Sequence, residues 1–197
     1  MNLLTKALPQ TVAVDGIDYP VDTDFRLMVE FEIITNGPGT MEDKGEMIMP
    51  LVDRFFCGYI GFDVNHAIER FMWFYRCDDQ PQKSYENNDE KDKAPRPVYS
   101  FDIDAPLIYA AFMDQYSIDL VCIKYLHWWA FRSLLSALRD DHEFKKIVGY
   151  RTMKITKDMS PEQKKAYREL KRIHRLPDYR SEEEKESEFA NSLDALF

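Results

Sequence analysis

Apolar residues return at helical spacing along most of this chain and at strand spacing in one short stretch near its start. Residues 11–21, TVAVDGIDYPV, alternate apolar and polar around Asp15-Gly16, the dipeptide that best fits a two-residue hairpin turn. A lone hairpin is marginal in water, so this one is expected to lie on helices. Thr23 or Asp24 caps a helix that carries Phe25, Met28, Val29, Phe31 and Ile34, and Asn36-Gly37-Pro38-Gly39 stops it. A second apolar segment covers 47–56, with Pro50 either opening its regular part or kinking it. Asp63 caps a third, in which Val64, Ala67, Ile68, Phe71, Met72 and Tyr75 form a broad stripe. Asp104 is placed to cap 105–116, which is expected to run on through Ser117. Two further helices are predicted, over about 141–153 and from Ser160-Pro161-Glu162 to Pro177.

The run 116–138, YSIDLVCIKYLHWWAFRSLLSAL, is the most informative stretch. As one helix it would make about six turns. Wound at 100° per residue, Asp119, Lys124, His127, Arg132 and Ser133 scatter around the axis while large apolar side chains fill the gaps. A helix with no single polar face must be covered on most sides, so it is expected to be a central strut, or a strut that is also a docking surface. Trp128 and Trp129 point about 100° apart on a helix; they are either both core anchors or one core anchor and one partner-facing residue. Arg132, set among apolar neighbours, is expected to pair with Asp102, Asp104 or Asp24, because an unpaired buried charge is costly.

The pattern breaks in two places. Residues 78–97 hold one aromatic residue, three prolines and no aliphatic side chain larger than alanine. Such a stretch cannot bury enough surface to offset its ordering entropy, so an exposed loop is expected. The tail 177–197 is acidic, with Phe189, Leu193, Leu196 and Phe197 as a weak apolar end, and is expected to be mobile when alone. Between them, 139–176 carries twelve Lys or Arg against six Asp or Glu. Those basic residues interleave with Tyr167, Leu170, Ile173 and Leu176, which describes a solvated face on a packed helix. The remainder, 1–176, reads as one mainly α-helical domain: a bundle of six to seven helices with a small N-terminal hairpin.

Composition narrows the function. With 197 residues and 45% hydrophobic side chains the chain has material for a real core. Only seven glycines occur, too few for the many turns of a barrel or sandwich. A net charge of -9 repels the phosphate backbone, so nucleic acid is not an expected partner. Cys57, Cys77 and Cys122 are odd in number and sit in apolar runs, which suggests reduced core thiols in a cytosolic protein. The first ten residues lack a signal-peptide pattern, and no apolar run is long enough to span a membrane.

Chemistry is sparse. His66, His127, His142 and His174 are isolated, and no CxxC, GxSxG or glycine-rich phosphate loop occurs. Asp22 with Asp24, and Asp102 with Asp104, are the best carboxylate pairs for magnesium, but they read first as caps and turn residues. Neither catalytic residues nor a metal or cofactor is expected.

These residues resemble a known family. VDGIDYPVDTDFR at 14–26, SFDIDAPLIYAAFMDQYSIDL at 100–120, LHWWAFRSLLSAL at 126–138 and FKKIVGYR at 144–151 are similar to the phage "gene product fifteen" family, tail-cluster proteins of long-tailed phages and prophages of Gram-positive bacteria. The resemblance implies a non-catalytic role in tail morphogenesis within the host bacterial cytoplasm. It implies a tail assembly chaperone that binds the tape-measure protein and, in turn, meets tail-tube subunits; the alternative is a permanent component of the tail or its connector. Trp128 or Trp129, with Phe189, Leu193 and Phe197, would face that partner, and self-association into a homo-oligomer stays open.

Overall fold

The computed structural model describes residues 4–58, 61, 63–77 and 97–179. Among them the chain forms seven helices and one two-stranded antiparallel hairpin, about 54% helix. Two compact units gather these elements. The first takes the described residues before 95 together with Tyr125–Phe131 and Tyr179, and the second takes those of Arg96–Lys124 and Arg132–Asp178.

In the first unit, β1 (Thr11–Val14) pairs with β2 (Ile17–Pro20), Val14 facing Ile17 and Thr11 facing Pro20. Asp15 and Gly16 take φ of 52° and 80°, the left-handed pair that a type I′ turn demands. Val12 and Val14 point inward, 2% and 1% exposed. Helix α1 (Phe25–Asn36) starts where the Asp24 carboxylate accepts the Arg26 N–H and stops at Gly37, as expected. Helix α2 (Met41–Phe55) begins at Met41 rather than Met47, because Thr40 and Asp43 form a reciprocal capping box. It runs through Pro50 without ending. Helix α3 (Val64–Tyr75) is capped by Asp63, which accepts the N–H groups of Asn65 and His66. α1 packs on α2, α2 on α3, and α3 on β1. Phe31 and Phe55 meet Phe71 edge-on at 5.0 and 5.2 Å, and Phe55 and Phe74 are fully buried.

The single long helix expected over 116–138 does not form. α4 (Ala105–Tyr116) ends at Ser117, which turns left-handed at φ 54° while its N–H closes on the Met113 carbonyl. Residues 117–127 are not helical, and α5 (Trp128–Ser136) begins afresh. Two competitors defeat the helix. The Asp119 carboxylate accepts the N–H groups of Val121 and Cys122 at 2.9 and 3.0 Å, a local turn that offers the backbone an alternative. Further on, Phe25 N–H donates to Leu126 O at 2.9 Å and Trp128 N–H to Thr23 O at 2.8 Å, so that Asp24 and His127 form a β-bridge. Hydrophobic periodicity carries no information about that long-range pairing.

In the second unit α4 packs on α6 (Glu143–Thr152), and α6 on α7 (Pro161–Ile173). α7 opens on the expected Ser160, which forms a capping box with Gln163, but stops at Ile173, short of Pro177. Asp104 occupies the N-cap position of α4, but its side chain makes no hydrogen bond to the first turn. Its carboxylate instead accepts the Ser100 N–H at 2.9 Å and both terminal nitrogens of Arg151, at 2.6 and 2.9 Å. The same guanidinium donates through Nε to His174 O and through Nη1 to Val98 O. Lys171 Nζ in turn caps the end of α6 at Arg151 O and Met153 O. One arginine thus joins the entry of α4, the segment before it, α6 and the exit of α7.

Asp104 is 2% exposed, and stripping its partner would leave a buried charge unsatisfied. Arg151→Ala is therefore expected to lower stability by about 3–5 kcal/mol, and Arg151→Lys to restore only part of it, since an ammonium cannot reproduce the two-pronged contact. Urea denaturation of the three proteins checks both.

Candidate functional site

Trp128 and Trp129 are 0% and 1% exposed, the arrangement of two core anchors rather than of one anchor and one surface residue. The reason lies at the end of α3. The last carbonyls of any helix lack intrahelical donors; here the Cys77 N–H reaches Phe74 O at 3.0 Å, and adjacent tryptophans add a donor each. Trp128 Nε1–H donates to Tyr75 O at 2.9 Å and Trp129 Nε1–H to Phe74 O at 2.8 Å. The two rings then part, as neighbours on a helix must. Trp128 stacks on Tyr75 (5.9 Å, 15°) and on Phe131 (5.8 Å, 18°), and Phe131 stacks on Phe25 (4.7 Å, 17°), with the Arg26 guanidinium 4.7 Å over the last ring. Trp129 turns to Trp73 and Phe74, at 5.6 and 5.8 Å.

His127 is 4% exposed and holds the same corner. Its Nδ1 accepts the Trp129 N–H at 3.0 Å, which places the proton on Nε2, 2.9 Å from Pro9 O. Burial pushes its pKa below the ordinary imidazole value, while the bond to Pro9 opposes that shift. Asp24 completes the junction. Its carboxylate accepts the N–H groups of Arg26 and Leu126 and the Arg26 side chain, the last two at 3.3 and 3.1 Å. Thr23, also buried, shares a hydrogen bond with the Tyr125 hydroxyl.

Two of the three carboxylates expected to pair with Arg132 have other partners. Asp104 is taken by Arg151 and Asp24 by Arg26 and the backbone, while Asp102 is exposed in the turn before α4. Arg132 itself is half-buried on α5. The Asp22 carboxylate accepts the Asp24 N–H at 3.0 Å, a turn contact. Among the described residues no group of His, Cys, Asp or Glu is arranged to hold a metal ion. The thiols are not core groups as expected: Cys57 and Cys122 are exposed and Cys77 half-buried. Cys57 and Cys77 follow the ends of α2 and α3 in left-handed conformations, φ 55° and 59°, a position the apolar pattern cannot reveal. The Cys122 thiol is raised in pKa by its hydrogen bond to Asp119, the opposite of nucleophilic activation.

Phe189, Leu193 and Phe197 lie outside the described residues, as do residues 78–96 of the acidic loop and 180–197 of the tail. What the described surface does offer is apolar area on α2. Met41 is 83% exposed and Met47 45%, and Glu42, Glu46 and Asp53 are exposed on the same helix. No residue of α7 is buried, and Lys165, Arg168 and Arg172 are exposed there, Arg172 in an ion pair with Glu169.

The arrangement defines a mainly helical protein whose described polar clusters bond within the fold and whose exposed apolar side chains include Met41 and Met47 of α2. The chain belongs to the bacteriophage Gp15 protein family, whose model matches residues 4–176. It is thereby a phage structural or morphogenesis protein. No curated protein and no solved structure matches it. No helix among the described residues is long and apolar enough to cross a membrane.

Two measurements test the corner. Trp129→Phe keeps a ring but removes one donor to Phe74 O, which the Cys77 N–H still reaches at 3.0 Å, and is expected to cost about 0.5–1.5 kcal/mol for the lost hydrogen bond, beyond any loss of packing. His127 has its pKa lowered in the folded state, so the unfolded chain binds the proton more readily; its contribution is complete above the unfolded value of about 6.5 and is lost as pH falls below it. The melting temperature should drop between pH 7 and pH 5, and His127→Gln, though less stable throughout, should show a shallower drop.

Proposed function

We propose that this protein is a tail assembly chaperone: it holds the phage tape-measure protein without covalent chemistry until tail-tube subunits displace it. The observation that carries this reading is the apolar face of α2, left uncovered in a protein of a phage morphogenesis family. A tape-measure protein is a very long helix with apolar stripes, and a folded helical partner can shelter such a stripe. Covering about 600 Å² of it offers roughly 15 kcal/mol gross at about 25 cal/mol/Å². Association and side-chain ordering oppose most of that gain, which leaves binding that is firm and still reversible. The polar clusters support the same reading, since the hydrogen bonds of Asp24, Asp104, His127 and both tryptophans are made to the chain itself.

Mass spectrometry of purified virions tests the proposal against a permanent place in the tail or connector. A chaperone is expected to be absent from finished particles and to be captured with tape-measure fragments on co-expression. Stoichiometric copies in the virion would overturn it.

A further inference from the structure

One apolar stripe on α2 meets two different environments. Met41, Gly45, Ile48, Val52 and Phe55 succeed one another at alternating steps of four and three residues and so share a face. Val52 and Phe55 are 3% and 0% exposed, whereas Met41 is 83% exposed and Ile48 is only half-buried. The stripe overruns the core that covers its C-terminal half by about two turns. Gly45 sits in the middle of that overrun. A glycine inside a helix costs about 1 kcal/mol relative to alanine, and here a Cβ would meet nothing within 4 Å. Among the described residues nothing crowds the missing side chain, and its absence leaves a notch in which a second backbone can come close. The flank is charged as well. Glu42, Glu46 and Asp53 recur along one side of the stripe and are exposed, while Lys44 on the other side is bonded to Thr35 O.

We propose that the uncovered half of α2 is a docking surface for an amphipathic helix that carries Lys or Arg beside its apolar stripe and crosses at Gly45. The acidic flank selects the basic residues, and the notch sets the crossing point. Met41 suits the task because an unbranched thioether side chain adapts to differing apolar partners. The inference deepens the chaperone reading and rests on it for the identity of the client, while the surface itself stands on α2 alone.

The test uses the full chain and two short designed helical peptides of Leu, Ala and Lys, the second with every Lys replaced by Glu, followed by fluorescence anisotropy. The cationic peptide is expected to bind about tenfold more tightly than the anionic one, and Glu46→Lys with Asp53→Lys to reverse that order. Gly45→Gln replaces glycine by a better helix former, so its melting temperature should hold or rise while cationic binding weakens about tenfold. Equal binding of both peptides, or of wild type and Gly45→Gln, overturns the surface. Tape-measure fragments captured equally by wild type and Gly45→Gln would remove this surface and leave the chaperone reading; cationic binding lost in Gly45→Gln, with no fragment captured by wild type, would do the reverse. Self-association abolished by Gly45→Gln would make a second copy the occupant and overturn the assignment to a foreign helix.

Discussion

The first unit depends on closing the end of α3. Helix ends buried without donors are costly, and α3 ends inside an aromatic core. The N–H groups of Arg76 and Cys77 close on Met72 O and Phe74 O, and two consecutive indoles complete the end, one bond each to Phe74 O and Tyr75 O. For both to reach neighbouring carbonyls, α5 must begin where it does, and that start is fixed by the bridge of Asp24 with His127. The stack through Tyr75, Trp128, Phe131 and Phe25 follows from the same placement. A network of hydrogen bonds made by aromatic and backbone groups therefore specifies the register, and packing fills in around it.

The second unit is organised differently. Its fixed point is an ion pair out of water, with Arg151 at 10% side-chain exposure and Asp104 at 2%. Such a pair contributes less net stability than its geometry suggests, since both ions lose hydration. Its value is positional, because the planar guanidinium has separate donors for Asp104, Val98 and His174. The outer helix α7 buries none of its residues, so polar anchors such as Lys171 take a larger share of holding it.

Local signals in the sequence proved readable and distant ones did not. The Asp15-Gly16 turn, the Asp24, Asp63 and Ser160 caps and the stop at Gly37 are each decided within a few residues, and each appears where the pattern puts it. The run 116–138 misled because its apolar content reflects burial, and burial alone does not distinguish a helix from an irregular segment pinned at both ends. Only the Asp119 turn gave a local clue. The pairing of Arg151 with Asp104 joins positions far apart in sequence, where nothing short of the fold selects one carboxylate among several. The early start of α2 was legible in Thr40 and Asp43, and with it the exposed position of Met41; the indole contacts of Trp128 and Trp129 with α3 were not.

The first unit is discontinuous, since Tyr125–Phe131 belongs with the segments that precede residue 95. During synthesis the N-terminal helices emerge well before the tryptophans that must seal α3, and until then its final carbonyls and the surrounding rings stay open to water. The nascent chain thus passes through a stage in which its stickiest interior is on display, and the host's own folding helpers have their widest opportunity there.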